Sequence, residues 1–541
     1  MRPEIKKLFF IFNISFLSFL ILISILILDS KESSVSAQEI RMIIKGKKDK
    51  RILGKDFPAY DFEIFVNEIK NNLCNKTCYF EDDINNITIK FNESIKSCYS
   101  MFSGSKADEI DLSNFDTSFV TDMRGMFYQC EKVTSINLNN INTSLVKLMN
   151  STFSNCTSLE SIDLSYFDTS NVLTMENMFK NSENLKFINL SHFNTPLIED
   201  ISSMFHGCSS LQSVYFPNFN SKQINSMSSL FYECRNLSYI SFQNIDTSLT
   251  NDMNHMFCEC NSLTSIDLSQ FNTSNVENME AMFANCINLQ SLDLTNFNTS
   301  KAKKMGNMFN GCRSLSYIDV SKFDTRNVLD IHKMFGNCTS LLSIDVSNFD
   351  TSLVTDISAM FNKCNSLYSI NLSNFDTSNV TDMHSIFTAC TNLTLLDISS
   401  FNTSLVTKMS DLFADCSSLS SLNLSHFDTS KVIDIHSMFQ NCVKLTSIDL
   451  SNFDISKSNN TKSMFAGCTA LEQLDISNFY FSNVTSFENM FKDCNSLQYL
   501  NLCSFEIDEN MNTNDNLNNL LNGIANDTVF CINNNRTRII F

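Results

Sequence analysis

The sequence predicts an α/β solenoid. The expected form is a leucine-rich-repeat-like, right-handed stack of coils, with a parallel β-sheet on its concave face and short helices on its convex face. Three observations carry that expectation. A Met-Phe-centred motif recurs sixteen times in 541 residues at a nearly fixed step. Each copy holds a stretch of alternating polar and apolar residues. Each copy also holds apolar residues three and four apart, the spacing of one helical face.

The period comes first because it dictates the architecture. Phe102 and Phe127 are followed by a Phe every 26 residues, from Phe153 to Phe491, without insertion or deletion. A repeat of this length is one supersecondary unit that buries its apolar side only against its neighbours. Within the copy that begins at Phe361, Ile370 and Leu372 alternate with Ser369, Asn371 and Ser373, as in a half-buried strand. Val380, Met383, Phe387 and Cys390 then share a helical spacing, with Thr377 or Ser378 placed to cap that helix. Successive strands would pair in parallel ~4.8 Å apart, giving a body on the order of 75 Å long. A second Phe column from Phe115 to Phe505, broken only by Ile141 and Ile245, reads as an aromatic spine rather than a cofactor pocket.

Composition sets the outer limits. Hydrophobic residues form 43% of the chain and charged residues 18%, enough for a continuous core and too little charge for wholesale disorder. Lys+Arg number 39 against 58 Asp+Glu, a net charge of −19, which repels phosphate backbones and argues against nucleic-acid binding. Ten Gly, four Pro and no Trp leave few turn-makers for a sandwich of tight hairpins.

The runs Met360-Phe361-Asn362-Lys363-Cys364-Asn365-Ser366-Leu367 and Ile370-Asn371-Leu372-Ser373-Asn374-Phe375-Asp376-Thr377-Ser378 resemble the BspA-type leucine-rich repeat surface proteins, in their 26-residue variety. The resemblance covers residues 98–505. It implies a solenoid displayed at a cell surface and used in adhesion, with a host or matrix protein or a glycan as partner. It brings no catalytic residues and no cofactor. Thr152 for Met, Ser182 for Cys, and Leu230 or Ile386 for Met depart from the pattern as tolerable core swaps.

The ends complete the domain plan: a signal peptide or anchor at 1–37, an N-terminal cap at 38–97, the solenoid at 98–505 and a C-terminal cap or tail at 506–541. Arg2, Lys6 and Lys7 precede an uncharged run at residues 8–28, and Val35 and Ala37 are small residues suited to a cleavage site. Positive charge before the run sends the rest of the chain out, so a surface or secreted location is expected, as a monomer touching membrane only through that run.

Fourteen of the twenty cysteines form one column, from Cys130 to Cys494, at a fixed offset from the Met-Phe pair. The expectation is buried free thiols, with coil-to-coil disulfides and metal binding as the alternatives. Six lie off the column: Cys74, Cys78, Cys98, Cys258, Cys503 and Cys531. In an exported chain these can staple the caps, and a Cys503–Cys531 bridge is expected, while pairing at the N-terminal end stays open.

Catalysis finds no footing. The seven histidines read as scattered among repeat offsets, no nucleophile or phosphate-loop motif occurs, and no metal-ligand set is expected. Binding is expected instead on the outward strand positions. Their central column carries Asp267, Asp293, Asp319 and Asp345 on four consecutive coils, like charges whose repulsion partial protonation, bound cations or a basic partner would relieve. Phe187, Tyr215 and Tyr239, with Pro217 nearby, place aromatics on three successive strands and form the expected contact patch. The expected function is therefore non-catalytic partner binding through the concave sheet face. The alternative is a structural coat or spacer.

Overall fold

A computed structural model describes residues 38–216, 219, 221–502, 520, 523–524 and 527–532. The apolar run at 8–28, the expected cleavage site at 35–37, Pro217 and Cys503 lie outside the described residues.

The N-terminal region folds as a small β-unit. Its strands are β1 (Gln38–Lys45), β2 (Lys48–Arg51), β3 (Phe62–Val66), β4 (Ile69–Lys70), β5 (Thr77–Phe80) and β6 (Ile84–Phe91). The first two coil strands are β7 (Glu109–Asn114) and β8 (Ser135–Asn137), and the sheet order is β4-β3-β6-β1-β7-β8. Alternation in β1 buries Ile40, Met42 and Ile44 while Arg41 points out. Antiparallel pairing of β1 with β7 covers what would otherwise be the bare edge of the first coil. β7 and β8 then begin the parallel series.

The chain is a stack of coils, and one apolar core runs through it from Ile40 to Phe530. Two features mark the stacking axis. A ladder of fifteen single-residue parallel bridges links Ser97, Asp122, Leu148 and their equivalents through to Ser486. Beside it, the first Phe column stacks ring on ring from Phe102 to Phe491, with centroids 5.2 Å apart at Phe127–Phe153 and 6.1 Å at Phe361–Phe387. The rings lie nearly parallel, 6° and 9° apart in those two pairs, so offset stacking adds to simple burial.

The expected convex helices are absent: none is found among the described residues of the repeats. The coil at 331–338 shows why. Met334, Gly336 and Cys338 donate locally to the carbonyls of Ile331, Lys333 and Phe335, three residues back. Lys333 and Phe335 between them donate to Ser358 and Met360 of the next coil, at 2.9 and 3.0 Å. A helix would spend every N–H within its own segment. Here alternate N–H groups point along the stack instead, because Lys333 and Asn337 adopt left-handed backbone (φ 51° and 58°) and reverse the chain direction at each turn. That conformation costs on the order of 1–2 kcal/mol at a non-glycine residue, offset by the bond each turn makes to its neighbour. The apolar spacing of three and four survives because each short turn returns a side chain inward. Met334, Phe335 and Cys338 are all fully buried.

Thr377 is likewise no helix cap. Its hydroxyl donates to the carbonyl of Asn402 and accepts the Asn402 N–H, both at 2.8 Å, stitching one coil to the next from a buried position. Equivalent threonines do the same, as at Thr299 and Asp324.

The sheet face is less continuous than a strand in every coil would require. β9 (Ser161–Ile162), β10 (Phe187–Ile188), β11 (Ser213–Phe216) and β12 (Tyr239–Phe242) form one parallel sheet in register. No strand follows until Ser369–Asn371, and Asp345 to Asn371 is the only bridge on this face in between. Pairing resumes at Ser369–Asn371 with Leu395–Asp397, and again at Gln473–Asp475, Tyr499–Leu502 and Val529–Ile532.

The column cysteines are buried free thiols with a defined partner. Each Sγ donates to the carbonyl of the column Phe of the preceding coil, 28 residues earlier for Cys130 and 29 for the rest, as Cys338 does to Phe309 at 3.2 Å. Burial pushes these thiols up, Cys338 to about 12, which keeps them protonated and unreactive. Ser182, at the one column position lacking Cys, donates to Phe153 at 2.8 Å and preserves the contact. Thr152 likewise bonds Met149 and Met123 rather than merely filling space. Off the column, Cys74 is bonded to Cys78 and Cys98 is a free buried thiol. Cys531 is disulfide-bonded, and its expected partner Cys503 is outside the described residues.

The carbonyl contact predicts an ordering of variants. Cys338→Ser keeps a donor and should stay near wild-type stability, as Ser182 does naturally. Cys338→Ala should be about 1 kcal/mol less stable than Cys338→Ser, measured by urea unfolding. Equal stability of the two would show that the thiol acts only as volume.

Candidate functional site: the outward sheet face

Strand alternation decides which side chains face out. In β10 to β12, Val214, Phe216, Ile240 and Phe242 point into the core. Their neighbours Phe187, Tyr215 and Tyr239 point away, 55%, 40% and 61% exposed. Register brings the three together. Ser213 pairs with Phe187 on one side and Tyr239 on the other, and Tyr215 stands two residues along the same strand. The Tyr215 hydroxyl donates to Gln243 Oε1 at 2.6 Å, which fixes its ring on the sheet. The three predicted aromatics therefore share one face of three adjacent, mutually bonded strands.

Sequence reasoning missed further members of this face: Tyr499, at the same offset and 38% exposed, and two that are more exposed. Tyr317 (63% exposed) and Leu395 (72%) lie at the repeat offset of Phe187 and Tyr239. Tyr317 is three periods beyond Tyr239, and Leu395 three beyond Tyr317. Comparing every residue at one offset would have found them. Both stand apart from the three-aromatic cluster and extend an apolar column along the face.

At the N-terminal end of the same face, β1, β3, β6, β7 and β8 line an open cleft of about 900 Å³. Arg41 Nε donates to Glu39 Oε1 at 2.7 Å, Lys90 lies over the Phe65 ring at 5.2 Å, and Asn137 donates to Asp111 at 2.8 Å. Glu39, Arg41, Asp111 and Asn137 are thus already paired within the cleft.

Asp267, Asp293, Asp319 and Asp345 are exposed and fall in the interval where the strand ladder is interrupted. Each accepts the N–H of the residue two further on, from Ser269, Thr295, Ser321 and Ser347 at 2.9 to 3.0 Å. The hydroxyls and backbone N–H groups of these residues together favour the charged form and hold all four carboxyls below the usual range. Protonation is therefore not how their repulsion is relieved. Nor do they converge: among the described residues, no three of them come within reach of a common ion. Neighbouring strands with like charges pair less readily, which is consistent with a ladder that opens here.

A protein family described as "Mycoplasma protein of unknown function, DUF285" matches residues 96–216, 225–343, 303–422, 329–447 and 418–523. The chain belongs to the DUF285 family. Two of the matches begin at 303 and 329, one 26-residue coil apart, so the DUF285 pattern slides along this chain by whole coils. No curated protein matches the chain. Among solved structures, one titled "Structure of the Toll - Spatzle complex, a molecular hub in Drosophila development and innate immunity" is similar at 16% identity, over 72% of this chain and 56% of that one, with a TM-score of 0.24. The chain thus spans little more than half the length of that structure's chain, and a likeness at this score carries no argument.

The seven histidines of this DUF285 chain fall at several repeat offsets, as the sequence reading had them, but three of them form a regular set that it missed. His332, His384 and His436 occupy one offset, on every second coil. Each sits two residues after a ladder aspartate and bonds it through Nδ1: Asp330 at 2.7 Å, Asp382 at 2.6 Å and Asp434 at 2.7 Å. The Asp-x-His spacing was legible, but three copies on alternate coils escape a search for adjacent repeats.

His384 makes the pH consequence testable. Its bond to Asp382 raises its pKa, with Asp356 adding to that and Lys408 opposing it. A histidine raised in the fold stabilises fully below its unfolded pKa of ~6.5. That contribution fades as pH rises through the folded value. The melting-temperature deficit of His384→Gln should be largest near pH 5.5 and shrink by pH 8.5. A deficit that grows with pH would contradict this assignment.

Proposed function

We propose that this chain is an exported repeat protein that binds a protein or glycan partner, without catalysis, through the aromatic part of its outward sheet face. The observation that carries the reading is the Phe187, Tyr215 and Tyr239 cluster. Three large apolar rings stand in solvent on adjacent bonded strands, where burial by a partner recovers the area that folding leaves exposed. Rings held on a rigid sheet lose little entropy on binding. Export and surface display are supported by the charged start and apolar run before residue 29, and by the resemblance to the BspA-type surface proteins. In this reading membrane contact is confined to that run, and the chain acts as a monomer.

A second reading, a coat or spacer, is favoured by the unbroken ladder of fifteen bridges, since a uniform stack sets a length whatever its face carries. Two variants separate the readings in a pull-down of host or matrix proteins by the exported chain. The double variant Tyr215→Ser with Tyr239→Ser should weaken capture by about tenfold or more. Deletion of the four whole coils between Phe309 and Phe413 should leave capture intact. The reverse pattern, with loss scaling on length alone, would favour the spacer.

A further inference from the structure

The bridge ladder carries a rung sequence that differs from coil to coil: Lys304, Asp330, Asp356, Asp382, Lys408, Asp434. Three of these positions open the same local motif; the third, Asp434-x-His436, is followed by an uncharged rung, Asn460, and the informative pair is Asp330-x-His332 and Asp382-x-His384. In both, one aspartate oxygen accepts the backbone N–H and faces the ring nitrogen of the histidine. What differs is the next rung. After Asp382 comes Lys408, whose ammonium donates to Asp382 Oδ2 at 2.8 Å. After Asp330 comes Asp356, a second carboxylate. Where one copy of the motif has a built-in cation, the other has an additional anion.

That second arrangement has the composition of a metal site. One atom each of Asp330, His332 and Asp356 lie within 4.8 Å of one another, on half-exposed side chains that leave room for water. Asp330 and Asp356 are neighbouring rungs of a ladder held by backbone bonds, and His332 is tied two residues past the first of them by its own N–H to Asp330. His332 is also held from its other side, where Nε2 lies 2.6 Å from the Asn307 side-chain amide; with that amide turned to accept from Nε2–H, the Nδ1 lone pair beside Asp330 is the one left to face a cation. Lys304, on the rung before, acts on Asp330 through its charge from farther away. We propose that Asp330, His332 and Asp356 form a site for one divalent first-row cation, occupying the place that the Lys408 ammonium fills beside Asp382. Two carboxylates and one imidazole suit Mn²⁺ or Zn²⁺, with the remaining positions taken by water or by a partner's oxygen. The sequence reading named no metal ligand, and the three residues come together only across two stacked coils, Asp330 and His332 from one and Asp356 from the next.

The two copies of the motif supply their own control. Mn²⁺ is the probe, because it prefers oxygen and imidazole to the thiols that Zn²⁺ would also seek. Titration of the full chain by calorimetry should show one specific ion. Asp356→Lys, which converts this rung to the Lys408 type, should weaken that binding by about tenfold or more while preserving the melting temperature. Lys408→Asp should do the opposite and raise the stoichiometry from one ion to two. Mn²⁺ binding no tighter in the wild type than in Asp356→Lys overturns the proposal. So does a stoichiometry that Lys408→Asp leaves unchanged in a folded protein, as judged by circular dichroism.

Discussion

The structure depends on how one coil hands its backbone hydrogen bonds to the next. In the segment after each ladder residue, N–H groups alternate between a carbonyl three residues back and a carbonyl in the following coil. No coil can satisfy itself, so no coil is stable alone. The same dependence fixes the period. An insertion of one residue would move every later donor away from its acceptor, and would pull the Phe rings out of their stack and the Cys thiols off their Phe carbonyls. Sixteen copies without an indel after the first step are the sequence record of that constraint. Side chains reinforce it from buried positions, threonine hydroxyls on one side of the coil and cysteine thiols on another.

Inside and outside were legible from the sequence, and local backbone conformation was not. The apolar columns read from the repeat face the core, with only Ile188, Ile266, Leu292, Leu396 and Leu422 of the strand column partly open among the described residues, and Phe187, Tyr215 and Tyr239 are exposed as their alternation implied. The helix expected from Val380, Met383, Phe387 and Cys390 failed because a run of tight turns returns side chains inward at nearly the helical interval. A contrary signal was present. The two positions with left-handed backbone carry Asn, Ser, Gly, Ala, Asp or Lys in most coils, and no β-branched residue. Asn and Gly recur at the second of them, as Asn285, Gly311, Asn337 and Gly467, which is turn chemistry rather than helix chemistry. The Asp-x-His motifs were visible as pairs, but their relation to Lys408 and Asp356 exists only once coils are stacked. Nothing within a single copy announces it.

A repeat this uniform also changes what counts as a functional signal. Where a column is constant, as with Phe, Cys and Thr, packing and bonding between coils explain it in full. Information lies in departures at positions that folding leaves free. On the sheet face those are the aromatics among serines and the run of aspartates. On the ladder they are the changes between aspartate, lysine, asparagine and leucine, residues that all supply the same backbone bridge.

Charge on the two ladders can therefore vary without touching the core, and its arrangement has local consequences. On the sheet face, four aspartates in succession coincide with the longest gap in strand pairing, and hydrogen bonds from Ser269, Thr295, Ser321 and Ser347 keep them ionised. At that face, coils stay joined through the buried threonines and the other ladder rather than through the sheet. On that other ladder, pairing is nowhere interrupted between Ser97 and Ser486, even where Asp330, Asp356 and Asp382 follow one another. The difference is what backs each rung. The turn segment beside the bridge ladder contributes several axial N–H donors per coil, whereas the short strands contribute few, so repulsion of similar size opens one ladder and leaves the other closed. Over the coils of Asp267 to Asp345 the sheet face is thus the compliant side of the stack and the turn side the rigid one, whereas the paired strands that carry Phe187, Tyr215 and Tyr239 stay firm.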